Sequence, residues 1–158
     1  MSKWTGNLAK LLVAGAVATT GLVVGAGSAH ANASACRSDT THNYAYVTNN
    51  ISIDSCYFVS GGYTMSGAIA FNNDPGSTVV YCAHAINVNT GGWAHDFGCA
   101  PATSANTGFV NAGTGGGAAG YSQYWNAPAG TYVVSAGFWL NGTYYGDVQS
   151  PRTTIGAH

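Results

Sequence analysis

The sequence of 158 residues has very few charged side chains. Only 6% of its residues are Asp, Glu, Lys or Arg, whereas a typical soluble domain has about 25%. Glutamate is absent, and both lysines, Lys3 and Lys10, stand near the start of the chain. This scarcity of positive charge excludes a nucleic-acid partner, because binding phosphates requires a surface rich in lysine and arginine. The sequence also lacks the P-loop and Rossmann fingerprints, which excludes the nucleotide-binding enzymes that use them.

Residues 1–31 have the pattern of a secretory signal peptide. Lys3 and Lys10 precede the apolar run 11–24, and Ala29-His30-Ala31 places small residues where a signal peptidase cuts. The run is too short and too rich in Gly and Ala for a stable membrane-spanning helix. We therefore expect a secreted, extracellular chain with no membrane span. The alternative is lipidation at Cys36, although Ala33 stands where lipoprotein sites usually carry a large aliphatic residue.

Four cysteines follow the leader, at positions 36, 56, 82 and 99. An exported protein meets an oxidising environment, so we expect two disulfides. Close Cys-x2-Cys pairs are absent, which argues against structural zinc. Pairing in sequence order, Cys36 with Cys56 and Cys82 with Cys99, is favoured because a hairpin turning at Asn89–Gly92 would set Cys82 directly opposite Cys99.

Short apolar segments alternate with Gly, Asn and Pro turns throughout residues 44–158. This pattern predicts an all-β, single-domain antiparallel β-sandwich, immunoglobulin-like or related. The segment 32–43 has weak strand signals, and we expect an N-terminal arm there that can add to a partner's sheet. Gly113–Gly120 contains five glycines and is expected to be a mobile loop. The predicted strands are Tyr44–Thr48, Ile51–Val59, Tyr63–Phe71, Thr78–Val88, Trp93–Cys99, Phe109–Asn111, Tyr121–Asn126, Thr131–Leu140 and Thr143–Gln149.

Asn141-Gly142 is a strong hairpin signal because both turn positions favour positive φ. The resulting register pairs Trp139 with Tyr144. Side chains alternate between the two faces of a strand, so Phe138 and Leu140 lie on the face opposite Trp139. Val148 is predicted on the Trp139 face. The sequence leaves open whether this face is exposed or packs against a second sheet.

Two histidines raise the question of catalysis. In the predicted hairpin His84 and His95 share a face, whereas Asp96 points to the opposite side. A catalytic triad needs serine, histidine and acid within hydrogen-bond reach, and no Gly-x-Ser-x-Gly elbow occurs. No third ligand for a two-histidine metal site can be named. We therefore expect no enzyme activity, no metal and no cofactor.

The exposed faces must consist mainly of Ser, Thr, Asn, Gly and Tyr, a composition typical of uncharged recognition. The candidate binding patch is Trp139 and Tyr144, joined by Trp125 and Tyr124 if their strand packs nearby. A protein contact is the first interpretation of this patch and a sugar-binding surface is the second. A third interpretation, proteinase inhibition, would use the segment Cys99–Thr103 beside a disulfide.

The export signal, the size, the paired cysteines and the body rich in Gly, Ala, Thr and Asn together resemble small secreted proteins of filamentous actinobacteria. That group includes enzyme inhibitors, spore-surface proteins and linker subunits of secreted toxin particles. The resemblance covers the general plan of the chain and carries over no functional residue. From the uncharged surface and the lack of catalytic motifs we expect a non-catalytic binding module, a protein-contact subunit or adaptor of an extracellular assembly such as a secreted toxin particle or surface layer. A carbohydrate-binding module and a secreted proteinase inhibitor are the alternatives.

Overall fold

A computed structural model describes residues 32–48, 50–115 and 122–158. Their strands form two antiparallel sheets. The first contains β1 (Ala33–Cys36), β2 (Ala45–Thr48), β3 (Ile51–Ser60), β4 (Thr64–Asn72), β7 (Thr107–Asn111) and β8 (Trp125–Asn126). The second contains β5 (Val80–Asn87), β6 (Trp93–Cys99), β9 (Gly130–Leu140), β10 (Thr143–Gln149) and β11 (Thr153–Ile155). The predicted signal peptide lies outside the described residues.

Long strands occupy the interior of both sheets. In the first sheet β3 and β4 are central, with β1 and β2 beside β3 and with β7 and β8 beside β4. In the second sheet the order is β10-β9-β5-β6, and β11 also pairs with β9. Within the described ranges the one helix, α1 (Ser38–Thr41), has four residues. No helix in that part of the chain has the length and apolar character needed to cross a bilayer.

The hydrophobic core lies between the two sheets, which confirms the sandwich prediction. At Gly67 of β4 an added Cβ would lie 3.0 Å from side-chain atoms of Phe97 and Val134, which belong to the second sheet. The two sheets therefore approach closely there, and a larger residue would force them apart. The largest fully buried side chains come from both sheets and include Ile51, Ile53, Met65, Ile69, Tyr81, Phe97, Tyr132, Val134 and Phe138.

Every predicted strand has a counterpart in the structure, with ends that differ by a few residues. The strands β1 and β11 were not predicted. The first of these lies within the expected N-terminal arm, where Ala33–Cys36 forms an edge strand paired with β3 of the same chain. In the glycine-rich segment the amides of Gly113 and Gly115 donate to the Cys99 carbonyl, and residues 116–120 lie outside the described ranges.

Both predicted disulfides are present, Cys36–Cys56 and Cys82–Cys99. Each joins residues that stand directly opposite each other on neighbouring strands, Cys36 on β1 with Cys56 on β3 and Cys82 on β5 with Cys99 on β6. Each bridge therefore fixes a strand to the interior of its sheet. Two disulfides are compatible with an extracellular protein.

The hairpin of β9 and β10 has the predicted register at its turn, where Trp139 pairs with Tyr144. The register then shifts between Tyr145 and Val148, with Asp147 at a positive φ of 70°. One extra residue in a strand reverses which face the following side chains occupy. Val148 consequently belongs to the core, so its predicted position on the Trp139 face is wrong.

Candidate functional site

The Trp139 face of the second sheet points away from the core. Trp139 is 46% exposed and Tyr144 is 36% exposed, whereas Phe138, one residue before Trp139 on β9, is fully buried. The alternation of side chains along β9 therefore separates a core face from an outer face. This arrangement rules out the alternative in which Trp139 and Tyr144 pack against the other sheet.

The outer face contains a cleft of about 770 Å³ that extends over β5, β6, β9 and β10. The segment between Ala100 and Ala102, which follows the Cys82–Cys99 disulfide, contributes to its wall. Aromatic and polar side chains from the four strands line the remainder, among them His84, Trp93, Asp96, Trp139, Tyr144 and Asp147. A concave site with several aromatic rings and a few polar groups is typical of ligand binding.

The Tyr144 ring lies against the backbone of β9 and β10 because two glycines leave room for it. A Cβ added to Gly137 would overlap the Tyr144 hydroxyl oxygen. A Cβ added to Gly146 would lie 2.9 Å from the same atom. Any side chain at Gly137 would have to displace the ring, so this glycine positions one wall of the cleft.

His84 and Trp93 stack on each other at one side of the cleft. Their ring centroids are 4.0 Å apart and their planes differ by 21°. Trp93 is the most exposed large hydrophobic side chain of the described residues, with 69% of its surface accessible, whereas His84 is only 5% exposed. The tryptophan thus covers the imidazole and still offers a large apolar surface to a ligand.

The pairing of β5 with β6 brings His84 opposite Asp96. Two register shifts interrupt this hairpin, one between Ala83 and His84 and one between Ala85 and Ile86. The predicted register was therefore wrong near the turn, although Cys82 and Cys99 are still opposite each other. The prediction that His84 shares a face with His95 is wrong for the same reason.

Asp96 and Asp147 give the cleft a negative character. One Asp96 carboxylate oxygen accepts a hydrogen bond of 2.7 Å from the Gly98 amide. Burial lowers the pKa of His84, and the carboxylates of Asp147 and Asp96 oppose that shift in part. Burial also raises the pKa of Tyr144, and the same two carboxylates add to the rise. Near neutral pH the cleft therefore contains a neutral phenol and an imidazole disfavoured from protonation.

A serine adjoins the imidazole, which the sequence did not suggest. Ser135 on β9 pairs with His84 on β5, so both side chains occupy the outer face of the sheet. Ser135 is fully buried, and its Oγ has no hydrogen-bond partner among the described residues. A serine nucleophile needs a hydrogen bond to its base and access to substrate. Ser135 Oγ makes no hydrogen bond to His84 and is closed to solvent, so this pair does not have that geometry.

The other two residues of the predicted patch lie elsewhere. Trp125 on β8 stacks on His95 with centroids 5.3 Å apart and meets the edge of Tyr132. Tyr124 lines a smaller groove of about 320 Å³ that includes Phe58 of the first sheet. The prediction that Trp125 and Tyr124 join Trp139 and Tyr144 in one patch is therefore wrong. The strand β8 pairs with β4 of the first sheet, which moves both side chains away from the cleft.

His95 has a structural environment of its own. Its Nε2 donates to the Ser122 carbonyl over 2.8 Å, and its ring meets the edge of Phe97. Within the described ranges, one group of ligand-type atoms is close enough for a metal, that of Cys36, Asp54 and Cys56. Both of its sulfur atoms belong to a disulfide and are not available as thiolate ligands.

Four residues of the cleft were missed as site residues from the sequence, namely His84, Trp93, Asp96 and Asp147. Asp96 and Asp147 lie next to register shifts in their strands, which the sequence pattern did not reveal. Positive φ angles occur at the same places, at Gly98 and at Asp147 itself. Trp93 stands directly after a turn, and no pattern in the sequence indicated that its side chain is exposed. Comparison with protein-family models, with curated proteins and with solved structures finds no match to this chain.

Proposed function

We propose that the chain is a secreted, non-catalytic binding module whose cleft receives part of another secreted protein. The observation that carries this proposal is the exposure of Trp93, Trp139 and Tyr144 in one concave site on the outer face of the second sheet. Tryptophan and tyrosine dominate the energetics of protein contacts, because they bury a large rigid surface at a low cost in conformational entropy. Such a module fits a subunit or adaptor of an extracellular assembly.

The cleft is held rigidly, which favours tight binding. Its floor includes β5 and β9, which are both interior strands of the sheet. The Cys82–Cys99 disulfide fixes the edge strand β6 to β5. A preformed site loses little conformational entropy when a ligand binds. The predicted signal peptide and the two disulfides support an extracellular location for this binding.

Carbohydrate binding is the second candidate function. The exposed Trp93 and Trp139 rings and the carboxylates of Asp96 and Asp147 belong to the same cleft. Aromatic faces can stack on the apolar faces of sugar rings, and carboxylates can accept hydrogen bonds from sugar hydroxyls. Competition by free sugars distinguishes this function from a protein contact.

Proteinase inhibition receives less support from the geometry. Pro101 and Ala102 line the wall of the cleft, and Thr103 pairs with Val79 through two backbone hydrogen bonds of 2.9 Å. An inhibitory loop has to protrude into the active site of a proteinase. This segment instead borders a concavity and is fixed to the second sheet.

The test is the native size of the protein purified gently from culture medium, measured by size-exclusion chromatography with mass spectrometry of the eluting peak. We expect the wild type to elute in a defined complex with another secreted protein and Trp139→Ala to elute as a monomer. Phe109→Ala is the matched control, because Phe109 is 50% exposed and lies on β7 of the other sheet. A wild type that elutes only as a monomer contradicts the proposal, as does a complex that Trp139→Ala leaves intact.

A further inference from the structure

The cleft combines aromatic rings with uncompensated negative charge. Asp96 on β6 and Asp147 on β10 both line it, although the whole sequence has only five acidic residues. None of the described residues that line the cleft is Lys or Arg. The negative potential of the two carboxylates is complementary to a positively charged group.

His84 supplies a second and independent indication of a ligand. Its side chain is 5% exposed and lines the cleft, and its ring nitrogens make no hydrogen bond within the part of the chain that the structure describes. The fully buried side-chain atom without a partner in that part of the chain is Ser135 Oγ, so the edge of the imidazole is open to the cleft and accessible to a ligand. A ligand with N–H donors would provide a partner for the imidazole, since a neutral imidazole has one nitrogen able to accept.

We propose, on the basis of the binding function above, that the cleft receives a basic side chain of the partner protein. Arginine is the basic side chain that best matches the groups lining the cleft. The guanidinium is flat and can stack on an indole face, which suits Trp93 and Trp139. Its fork of five N–H donors suits the carboxylates of Asp96 and Asp147 together with the imidazole of His84. The rings and the charges then act on the same group of the ligand.

Burial of His84 favours this assignment. Desolvation lowers the pKa of His84 despite Asp96 and Asp147, which face it from β6 and β10. Tyr144, the other titratable group at this site, has a pKa raised by burial and stays a neutral phenol. At neutral pH the floor of the cleft can therefore accept hydrogen bonds without repelling a cation. A neutral sugar would leave the two carboxylates without a countercharge.

The probe is the blocked tripeptide acetyl-Gly-Arg-Gly-amide, compared with the same peptide carrying citrulline, the uncharged isostere of arginine. Binding to the mature protein is followed in proton–nitrogen NMR spectra through the indole N–H signals. We expect the arginine peptide to shift the signals of Trp93 and Trp139. Trp125 is the internal control, because it stacks on His95 of β6 outside the residues that line the cleft.

We expect binding of the citrulline peptide to be weaker by about tenfold, as the loss of the charge-assisted contacts predicts. Equal shifts from both peptides would overturn the assignment of a cation. Shifts of Trp125 alone would place the binding outside the cleft and overturn it as well. The absence of any shift up to about 10 mM arginine peptide would also refute it, because a single well-matched side chain should reach that affinity range.

Substitutions to asparagine test the two carboxylates without changing their shape. The side-chain amide in D96N keeps an oxygen that can accept from the Gly98 amide, and the asparagine in D147N tolerates the positive φ found at Asp147. We expect D96N and D147N each to weaken binding of the arginine peptide by roughly threefold and the double variant by about tenfold. D74N removes a charge outside the cleft and is expected to have no effect.

The same variants separate the charge proposal from the binding function. If the double variant D96N/D147N forms the native complex as tightly as the wild type, the basic side chain is refuted and the binding module remains. If the wild type forms no complex, the binding function itself is refuted. Weakening of the complex by D96N/D147N but not by D74N is the result that we expect.

Discussion

Phe138 and Trp139 are neighbours on β9 with opposite environments, so their substitution by alanine should have very different costs. Phe138 is fully buried in the core between the sheets. Removing a buried phenylalanine side chain costs about 3–5 kcal/mol, since a cavity remains in its place. Phe138→Ala should therefore lower the free energy of unfolding by about 4 kcal/mol.

Trp139→Ala should be milder because 46% of the tryptophan surface is already exposed. The buried part is roughly 100 Å² of the area that tryptophan offers, and at about 25 cal/mol per Å² its loss costs about 2.5 kcal/mol as an upper bound. No closed cavity forms on an open face. The measurement is urea unfolding of the mature protein with its disulfides intact, with the slope of the transition compared between variants.

A result in which Trp139→Ala destabilises as strongly as Phe138→Ala would refute the assignment of the Trp139 face to the surface. The two substitutions also differ in their expected effect on binding. Trp139→Ala should abolish partner binding in the folded protein, whereas Phe138→Ala should retain binding at temperatures where it remains folded. Loss of binding in both variants under those conditions would mean that the outer face has no special role.

Two further predictions concern the floor and wall of the cleft. Gly137→Ala should displace the Tyr144 ring, weaken binding and cost about 1–3 kcal/mol of stability, whereas Gly156→Ala, which meets no atom within 4 Å, should do neither in the same assays. His84 has a lowered pKa in the folded chain, so the unfolded chain binds more protons, and stability should fall as the pH drops below about 6.5. His84→Gln should reduce this pH dependence in urea unfolding between about pH 7.5 and 5, and an unchanged dependence would contradict the burial argument.

Local patterns were sufficient to predict the strands and one register. Asn141-Gly142 at the turn fixed the pairing of Trp139 with Tyr144, because few other conformations suit that dipeptide. The disulfide pairing of Cys82 with Cys99 was also predicted correctly, although the regular register from which it was predicted does not extend to the turn. These features depend on residues that are close in sequence.

The register shifts could not be predicted, and they decide the chemistry of the cleft. An alternating pattern contains no mark of the position at which one extra residue enters a strand. Because of the shifts in the β5–β6 hairpin, His84 stands opposite Asp96 and does not share a face with His95 as predicted. The shift in β10 moves Val148 into the core.

Long-range packing also could not be predicted from the sequence. Trp125 and Tyr124 have the same side-chain chemistry as Trp139 and Tyr144, and nothing near them in the sequence indicates which sheet they join. Pairing of β8 with β4 decides that question. The edge strand β1 was missed because Ala33–Cys36 consists of small residues, and its pairing with β3 includes the Cys36–Cys56 bridge.

Site-specific photo-crosslinking tests the central claim, that the cleft is the surface that binds a partner. A photoreactive phenylalanine analogue placed at position 139 should crosslink a second secreted protein in culture medium, and mass spectrometry would identify the joined peptides. The same analogue at position 109, an exposed site on the first sheet, is the control. Crosslinks from position 139 and none from position 109 are predicted, whereas crosslinks from position 109 alone would contradict the account.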